Sequence, residues 1–284
     1  MALPRARAKR DIDATAMILL RIHDLTPGNR DLAEQLAAVG IPFACVVDER
    51  NGHVDTAPWD KISLTVPACQ ALGLYCTDDM GWRTGDYGFY LARQKFPDVS
   101  RFWMIESDVR YGGDWADFFA MFKRTLDDLL VAGLREADRG WFWEYTMAAR
   151  GVAVWRCMFP VVRLSSRAID MLRLRRVTMS QDKRRQRDWP NDEAFVATVM
   201  QNTLLINCAD INEFGSAVYD AETFVFHRAM DGDALQMRDG MLYHPVLYGA
   251  DYRAKVARHA GREYHSLLWR RIRRRVVREV NRRT

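Results

Sequence analysis

An unbroken apolar run that ends in two acids constrains this chain more than any other feature. Residues 102–105 are Phe-Trp-Met-Ile, and Glu106 and Asp108 follow directly. Such a run is typical of a strand buried on both faces, as in a parallel sheet covered by helices. Acids at the carboxyl end of that strand lie in the crevice where open α/β sheets bind ligands. Carboxylates one residue apart project to the same side of an extended chain, so together they can hold a hard divalent cation and, through it, a diphosphate.

The first fifty residues predict a βαβ unit. Residues 16–22 and 43–47 are apolar and predict two buried strands. A helix over residues 30–39 joins them, with Asn29 as its cap and Gly40 at its end. The chain has neither a G-x-G-x-x-G pattern nor a G-x-x-x-x-G-K-[ST] pattern, which argues against an NAD-binding or a P-loop protein.

The remaining patterns predict further helices and strands of an α/β fold. Helices are expected over residues 85–96 and 115–130, from a serine cap at Ser165, and from a cap at Asn191 to about residue 204. Strands are expected over residues 62–66, 140–145 and 155–162. Seven basic residues lie between positions 173 and 190, a composition typical of a solvated loop.

The acid pair and its surroundings resemble the acid-x-acid metal motif of the GT-A glycosyltransferases, the nucleotide-diphospho-sugar transferases. Residues 82–87 (Trp-Arg-Thr-Gly-Asp-Tyr), 103–109 and 113–115 are similar to a little-characterised bacterial glycosyltransferase-like group of that superfamily. The resemblance implies a single α/β domain of GT-A (Rossmann-like) type over residues 14–255, with a mostly parallel central sheet flanked by helices. It also implies a metal-dependent transferase that moves a sugar from a nucleotide-diphosphate donor to a glycan or lipid-linked acceptor, as in polysaccharide biosynthesis.

The resemblance also implies the metal site. Glu106 and Asp108 are expected to hold Mn²⁺ or Mg²⁺, with Asp108 as the direct ligand. A late histidine is expected to join them, and His244 is the better match and His227 the second. Oxygen ligands suit both ions, and a histidine ligand favours Mn²⁺. In the alternative reading, either histidine is only a hydrogen-bonded neighbour.

Three further groups of residues receive roles from the resemblance. The ends of the first two strands are expected to contact the nucleotide, and the start of the helix at residue 85 to face the donor sugar. An acid about eighty residues after the metal motif is expected to serve as catalytic base, if the enzyme inverts. The residues are His23, Asp24, Asp48 and Glu49 for the nucleotide, Asp86 and Tyr87 for the sugar, and Asp192 or Glu193 as the base. Each group also has a structural alternative. The first group could be solvated strand ends, the second could place a charge on the helix dipole, and the third could be ordinary helix capping.

The distribution of charge predicts two terminal segments. Residues 1–13 read as a flexible basic arm, and nine arginines against two glutamates lie between Gly261 and Thr284. Residues 256–284 are expected to form a basic amphipathic helix with an apolar row at Leu268, Ile272, Val276 and Val280. This helix could lie on an anionic membrane surface or pack on the protein itself. No nucleic-acid motif accompanies the charge, so no nucleic-acid partner is expected.

The cysteines and the hydropathy bear on location. Five scattered cysteines without a C-x-x-C pair argue against a disulfide framework and a zinc cage, and favour a reducing compartment. No window approaches the roughly 18 apolar residues of a membrane span. A cytoplasmic protein, peripheral at the inner face of the membrane, is therefore expected. Two rival functions remain: a metal-dependent phosphohydrolase, and a non-catalytic protein of GT-A fold that binds a sugar or a partner.

Overall fold

The computed structural model describes residues 15–149, 152–226 and 228–258. The basic arm over residues 1–13, His227 and nearly all of the basic tail lie outside this part of the chain. Residues 249–258 are helical. Within the described part, no helix is both long enough and apolar enough to pass through a lipid bilayer.

A seven-stranded sheet forms the centre of the protein, in the order β3-β2-β1-β4-β7-β6-β8. Only β7 runs antiparallel to its neighbours in this sheet. Two small pairs, β5 with β10 and β9 with β11, lie outside it. The strands are β1 Ala16–Ile22, β2 Phe43–Asp48, β3 Asp60–Leu64, β4 Arg101–Glu106, β5 Arg110–Tyr111, β6 Leu129–Glu136, β7 Trp155–Ser165, β8 Cys208–Asp210, β9 Met230–Asp231, β10 Leu242–Tyr243 and β11 Val246–Leu247.

Helices cover both faces of the sheet. They are α1 Pro27–Ala37, α2 Val66–Ala71, α3 Met80–Arg83, α4 Tyr87–Lys95, α5 Trp115–Met121, α6 Glu144–Met147, α7 Ser166–Ser180, α8 Lys183–Arg187 and α9 Asp192–Gln201, with a short 3-10 turn at Ile211–Glu213. Along β4, Phe102 and Met104 join a core that α4, α7 and α9 complete, whereas Trp103 and Ile105 join a core that α1 and α5 complete. The mostly parallel α/β sheet flanked by helices is therefore confirmed, and the acid-ended strand is its central member.

Buried arginines explain two wrong element predictions. The helix predicted over residues 115–130 ends at Met121, because the Arg163 guanidinium takes the backbone carbonyls of Phe122, Thr125 and Asp127. The expected basic loop over residues 173–190 is the second half of α7 followed by α8. Arg176 points from α7 into the core, and charged residues cover the outer faces of both helices.

Three smaller expectations also differ from the structure. Residues 140–145 form a turn that leads into α6 rather than a strand. Helix α1 begins earlier than expected, because Thr26 caps it by accepting a hydrogen bond from the Asn29 backbone N–H. Helix α9 ends at Gln201. The caps predicted at Ser165 and Asn191 are confirmed, since their side chains accept from Ala168 and Ala194.

Candidate functional site

The carboxyl ends of β1, β2 and β4 meet at one edge of the sheet, because these strands are parallel neighbours. Glu106 is the last residue of β4 and pairs in register with Arg21 of β1. The chain then turns, with Val109 N donating to the Glu106 carbonyl, and Asp108 lies in this turn. Strand β5 follows and pairs with β10, so residues 242–243 run beside residues 110–111. This pairing carries His244 to the acid pair.

Glu106, Asp108 and His244 converge on one point. Each offers one ligand atom, and these atoms all lie within 4.8 Å of one another. The backbone fixes the cluster from two sides, because Val246 N donates to the Asp108 carbonyl at 2.7 Å. Asp108 Oδ1 is buried and has no hydrogen-bond partner in the described chain. A buried carboxylate oxygen without a partner is costly unless a ligand satisfies it.

The histidine presents the nitrogen that a metal requires. His244 Nδ1 lies 3.0 Å from the Val225 carbonyl oxygen, and a carbonyl can only accept, so Nδ1 carries the proton. In the neutral ring the lone pair is then on Nε2, which faces Asp108 Oδ1 at 3.5 Å. Two lone-pair donors that face each other across this gap suit a shared cation. A second-shell carbonyl that fixes the tautomer in this way is usual for a metal-ligating histidine. The residues therefore fit a divalent ion.

Arg21 is the cation of the site. Its Nη2 contacts Glu106 Oε1 at 2.8 Å, and its Nη1 lies 3.8 Å from Asp192 Oδ2. Burial alone would lower the pKa of Arg21, but Glu106 and Asp192 outweigh burial and raise it. Nη1 is buried and has no hydrogen-bond partner among the residues described. Arg21 thus offers one N–H group to a ligand in the cleft.

Asp192 and Glu193 begin α9 beside this arginine. Asp192 Oδ2 accepts from Gly85 N at 2.9 Å, and Asn191 caps the helix. Burial raises the pKa of Asp192 to about 7, although Arg21 opposes the shift. Burial also raises the pKa of Glu193 well above its ordinary value, and the charges of Asp192 and Glu106 add to the shift. Asp192 is therefore set to exchange a proton near neutral pH, and Glu193 holds its proton to a higher pH than an ordinary glutamate.

A cleft of about 370 Å³ opens over Arg21, Glu106 and Asp108, whereas His244, Asp192 and Glu193 lie behind its lining residues. Its walls come from the ends of β1, β2 and β4 and from α3, and include Arg21, His23, Asp48, Trp82, Glu106 and Asp108. Glycines let the chain pass close to the charged groups. A Cβ at Gly85 would overlap the Arg21 guanidinium and come within 2.5 Å of Asp192 Oδ2. A Cβ at Gly81 would overlap Asp48 and Arg50. The volume suits a small molecule with a few polar groups.

The other candidates from the first strands divide into two groups. His23 and Asp48 line the cleft; the His23 side chain is exposed, and Asp48 is held by Arg50 at 2.7 Å. Asp24 and Glu49 have structural partners. Asp24 accepts from the Asn29 amide at 2.8 Å, and Glu49 binds Lys61 at 2.7 Å. The last two residues brace loops beside the cleft.

Asp86 and Tyr87, which were expected to face the donor sugar, are fully buried on the other side of the α4 start. Asp86 is paired with Arg176 through both carboxylate oxygens and accepts from the Tyr90 hydroxyl. The Tyr87 hydroxyl donates to the Tyr75 carbonyl at 2.7 Å. Neither side chain lines the cleft. Their placement corrects the expectation, because the partner of Asp86 comes from a segment that was expected to be a loop.

Sequence reasoning missed Arg21 and Gly85. Arg21 interrupts an otherwise apolar strand, Met-Ile-Leu-Leu-Arg-Ile, one residue before its end. A charge in a buried strand, in register with the acid of the central strand, was the signal that could have identified it. Gly85 carries no such signal by itself, because only the folded chain shows that a side chain there would displace Arg21.

Comparisons with known proteins add a likeness of fold. No protein-family model matches the sequence, and no curated protein matches it. A glycosyltransferase involved in glycosylation of the major capsid of PBCV-1 aligns with TM-score 0.32 and 12% identity, over 59% of this chain and 68% of its own. An inositol-1-phosphate CTP transferase from T. maritima aligns with TM-score 0.38 and 10% identity, over 70% of this chain and 86% of its own. Because these TM-scores are low, the function of this chain is argued below from its own residues.

Proposed function

We propose that this protein is a divalent-metal-dependent transferase that moves a sugar from a nucleotide-diphosphate donor to a glycan or lipid-linked acceptor. The observation that carries the proposal is the cluster of Glu106, Asp108 and His244. Asp108 Oδ1 and His244 Nε2 face each other at 3.5 Å, with the carboxylate oxygen unpaired. This donor set suits Mn²⁺, while Mg²⁺ would rely on the two carboxylates.

The donor diphosphate is proposed to lie over this cluster in the cleft. A divalent ion, when bound, supplies Lewis-acid stabilisation of the negative charge that develops on a departing diphosphate. Arg21 adds a fixed positive charge beside it, and its free Nη1–H group can donate to a phosphate or a sugar hydroxyl. His23 and the Asp48–Arg50 pair, at the ends of β1 and β2, are the proposed contacts for the nucleoside.

The base for an inverting transfer is proposed to be Asp192 or Glu193. A general base works best with a pKa near the operating pH, and the pKa of Asp192 is about 7. Glu193 is the more exposed residue of the two, and Asp192 is the one that lies beside Arg21. The activities of Asp192→Asn and Glu193→Gln would separate the two, because only the true base combines unchanged donor binding with lost transfer.

The location and the two ends of the chain stay predictions. The arm over residues 1–13 and the basic helix over residues 256–284 are proposed to flank the transferase domain of residues 14–255. A basic amphipathic segment would hold the enzyme at an anionic membrane surface, where a lipid-linked acceptor is found. A cytoplasmic enzyme peripheral to the membrane, active in polysaccharide biosynthesis, is the corresponding proposal.

Thermal denaturation with a panel of nucleotide diphosphates and nucleotide sugars, with Mn²⁺ or with EDTA, tests the function. A ligand that binds only the folded state raises the melting temperature, by roughly 5 °C at about one hundred times its Kd. We expect one nucleotide to shift the wild type in Mn²⁺ but not in EDTA. Asp108→Asn should abolish the shift, and Asp117→Asn, the same change on the exposed face of α5, should keep it.

Three results would contradict the proposal. If no nucleotide shifts the wild type in either condition, the cleft is not a nucleotide site. If phosphate is released from a phosphate ester in the absence of any acceptor, the protein is a phosphohydrolase. A nucleotide shift that Asp108→Asn leaves intact, without any turnover, would indicate a binding protein of this fold.

A further inference from the structure

Three aromatic side chains form a cluster at the mouth of the cleft. Trp82, on α3, is 64% exposed, and Phe142 is 69% exposed. Trp143 lies between them, is only 7% exposed, and contacts both rings. The Trp82 and Trp143 centroids are 5.6 Å apart, and those of Phe142 and Trp143 are 4.8 Å apart. We call Trp82, Phe142 and Trp143 the aromatic platform.

The central ring of the platform, Trp143, is held in place, and the two exposed outer rings pack against it. The Arg83 guanidinium lies 5.1 Å from the Trp143 ring and donates to the Trp189 carbonyl. Thr146 donates to the Trp143 carbonyl at 2.7 Å, which holds the turn before α6. Large aromatic rings gain free energy when they leave water, so exposed rings that are held in place mark a binding surface. Rigid rings also lose little conformational entropy when a ligand binds.

The platform is continuous with the candidate site. Trp82 lines the same cleft as Glu106 and Asp108. Trp143 contacts Trp82 and extends the surface from the cleft toward Phe142. A molecule that rests on these rings therefore has one end directed into the cleft. In the proposed transferase, an acceptor bound on these rings would have one end beside the donor site.

We propose that the aromatic platform binds the acceptor, and that the acceptor is a glycan whose pyranose rings stack on Trp82 and Phe142. This inference rests on the proposed function and names its second substrate. One face of a pyranose presents C–H groups with partial positive charge, which complement the negative face of an aromatic ring. The hydroxyl groups at the edge of the sugar need polar partners.

The surroundings of the platform favour a glycan over an isoprenoid chain. Arg83 lies against Trp143, and Arg156 lies 4.8 Å from the neighbouring Trp141 ring. Sugar hydroxyls can accept hydrogen bonds from these guanidinium groups. A hydrocarbon chain offers no acceptor and would only remove the arginines from water, which costs free energy. The mixture of rings and cations therefore matches a polyhydroxylated ligand.

A glycan microarray probed with the full-length protein tests the inference. We expect wild type to bind one class of oligosaccharide, and Trp82→Ala and Phe142→Ala each to weaken that binding about tenfold, since each removes one stacked ring. Leu204→Ala is the control, because Leu204 is an apolar residue at 90% exposure outside the platform. It should bind as wild type does.

The outcomes separate this inference from the proposed function. The platform is not the acceptor site if both aromatic variants bind glycan as strongly as wild type. The same holds if wild type binds no oligosaccharide. A lipid would replace the glycan as the proposed ligand if wild type binds no glycan but binds vesicles that contain a polyprenyl phosphate. In that case Phe142→Ala should lose the vesicle binding. The Mn²⁺-dependent nucleotide shift of the wild type reports on the donor site separately, so each idea can fail while the other stands.

Discussion

Two arginine–carboxylate pairs lie on either side of the Gly85–Asp86 peptide and differ in how completely they are satisfied. Arg176 binds both oxygens of Asp86 at 2.8 and 2.9 Å and donates to the Pro190 carbonyl. Both side chains are fully buried. Arg21 binds one oxygen of Glu106 at 2.8 Å, and its Nη1 lies 3.8 Å from Asp192 Oδ2 and has no hydrogen bond in the described chain. The first pair is closed, and the second is open to the cleft.

The difference separates a structural pair from a functional one. A charge can be buried at tolerable cost only when its hydrogen-bonding groups are satisfied, as they are around Asp86. Arg21 Nη1 and Asp108 Oδ1 are polar atoms of opposite charge beside the cleft. Neither has a hydrogen-bond partner in the described chain. Satisfying them within the fold would need only a small change in side chains. A ligand that carries both negative charge and a cation, as under the proposed function, would satisfy both atoms.

The largest expected effect comes from neutralising the closed pair. Asp86→Asn leaves the Arg176 charge buried without a counterion, which should cost about 3–5 kcal/mol in the free energy of unfolding. Glu106→Gln makes the same chemical change in the open pair, where water reaches both side chains, and should cost about 1 kcal/mol or less. Urea unfolding of both variants, in the absence of metal, measures the two values.

If Asp86→Asn and Glu106→Gln lose the same free energy of unfolding, the two ion pairs do not differ in the way described. A large loss for Glu106→Gln would mean that the Arg21–Glu106 pair holds the sheet edge together and is not reserved for a ligand. The double variant Asp86→Leu with Arg176→Met removes both charges of the closed pair. It should recover much of the stability that Asp86→Asn loses, because no unpaired charge stays buried.

A smaller effect is expected when the open site loses its histidine. His244→Ala removes Nε2 and should weaken Mn²⁺ binding roughly tenfold to a hundredfold, a loss typical of disturbed metal sites. Isothermal titration of the free protein with Mn²⁺ measures this affinity. His53→Ala, on the exposed loop after β2, is the matched control and should bind Mn²⁺ as wild type does. Unchanged affinity in His244→Ala would instead indicate that the histidine is a charged partner of Asp108.

The parts of the fold that the sequence predicts are those that local patterns determine. The apolar runs of β1, β2 and β4 are buried on both faces, so composition alone identifies them. The caps at Ser165 and Asn191 depend on the next three residues and were equally readable. The end of α5 could not be read in this way. The backbone carbonyls that follow this helix accept hydrogen bonds from Arg163, which lies 36 to 41 residues further along the chain.

The same rule explains the candidate site. Glu106 and Asp108 are readable because both acids follow one strand. The role of Asp86 was misjudged because its partner, Arg176, lies 90 residues further along the chain in a segment rich in basic residues. His244 was expected from the family resemblance, whereas the contacts that bring it to the acids, the pairing of β5 with β10 and the hydrogen bond from Val246 N to the Asp108 carbonyl, appear only in the fold. Local patterns alone do not assign partners across such long sequence separations.

The last expected effect concerns Asp192, the acid beside the open pair, and it appears as a pH dependence of stability. The unfolded carboxyl titrates near its ordinary value of 3.8, whereas in the folded protein its pKa is about 7. Between these values the folded chain binds a proton that the unfolded chain does not. Stability from this group is complete below pH 3.8 and is lost as the pH rises through 7. From pH 5 to 8 wild type should lose roughly 2–3 kcal/mol through this group.

Asp192→Asn removes this titration, so its free energy of unfolding should fall less than that of wild type between pH 5 and pH 8. Urea unfolding in EDTA at both pH values gives the difference, which includes a change in the Glu193 titration because the charge of Asp192 also raises the pKa of Glu193. Asp117→Asn, an exposed acid on α5, should follow wild type. An identical loss in Asp192→Asn and wild type would show that Arg21 keeps Asp192 ionised throughout. The open side would then carry a fixed ion pair, and Glu193 would be left as the acid able to exchange a proton with an acceptor.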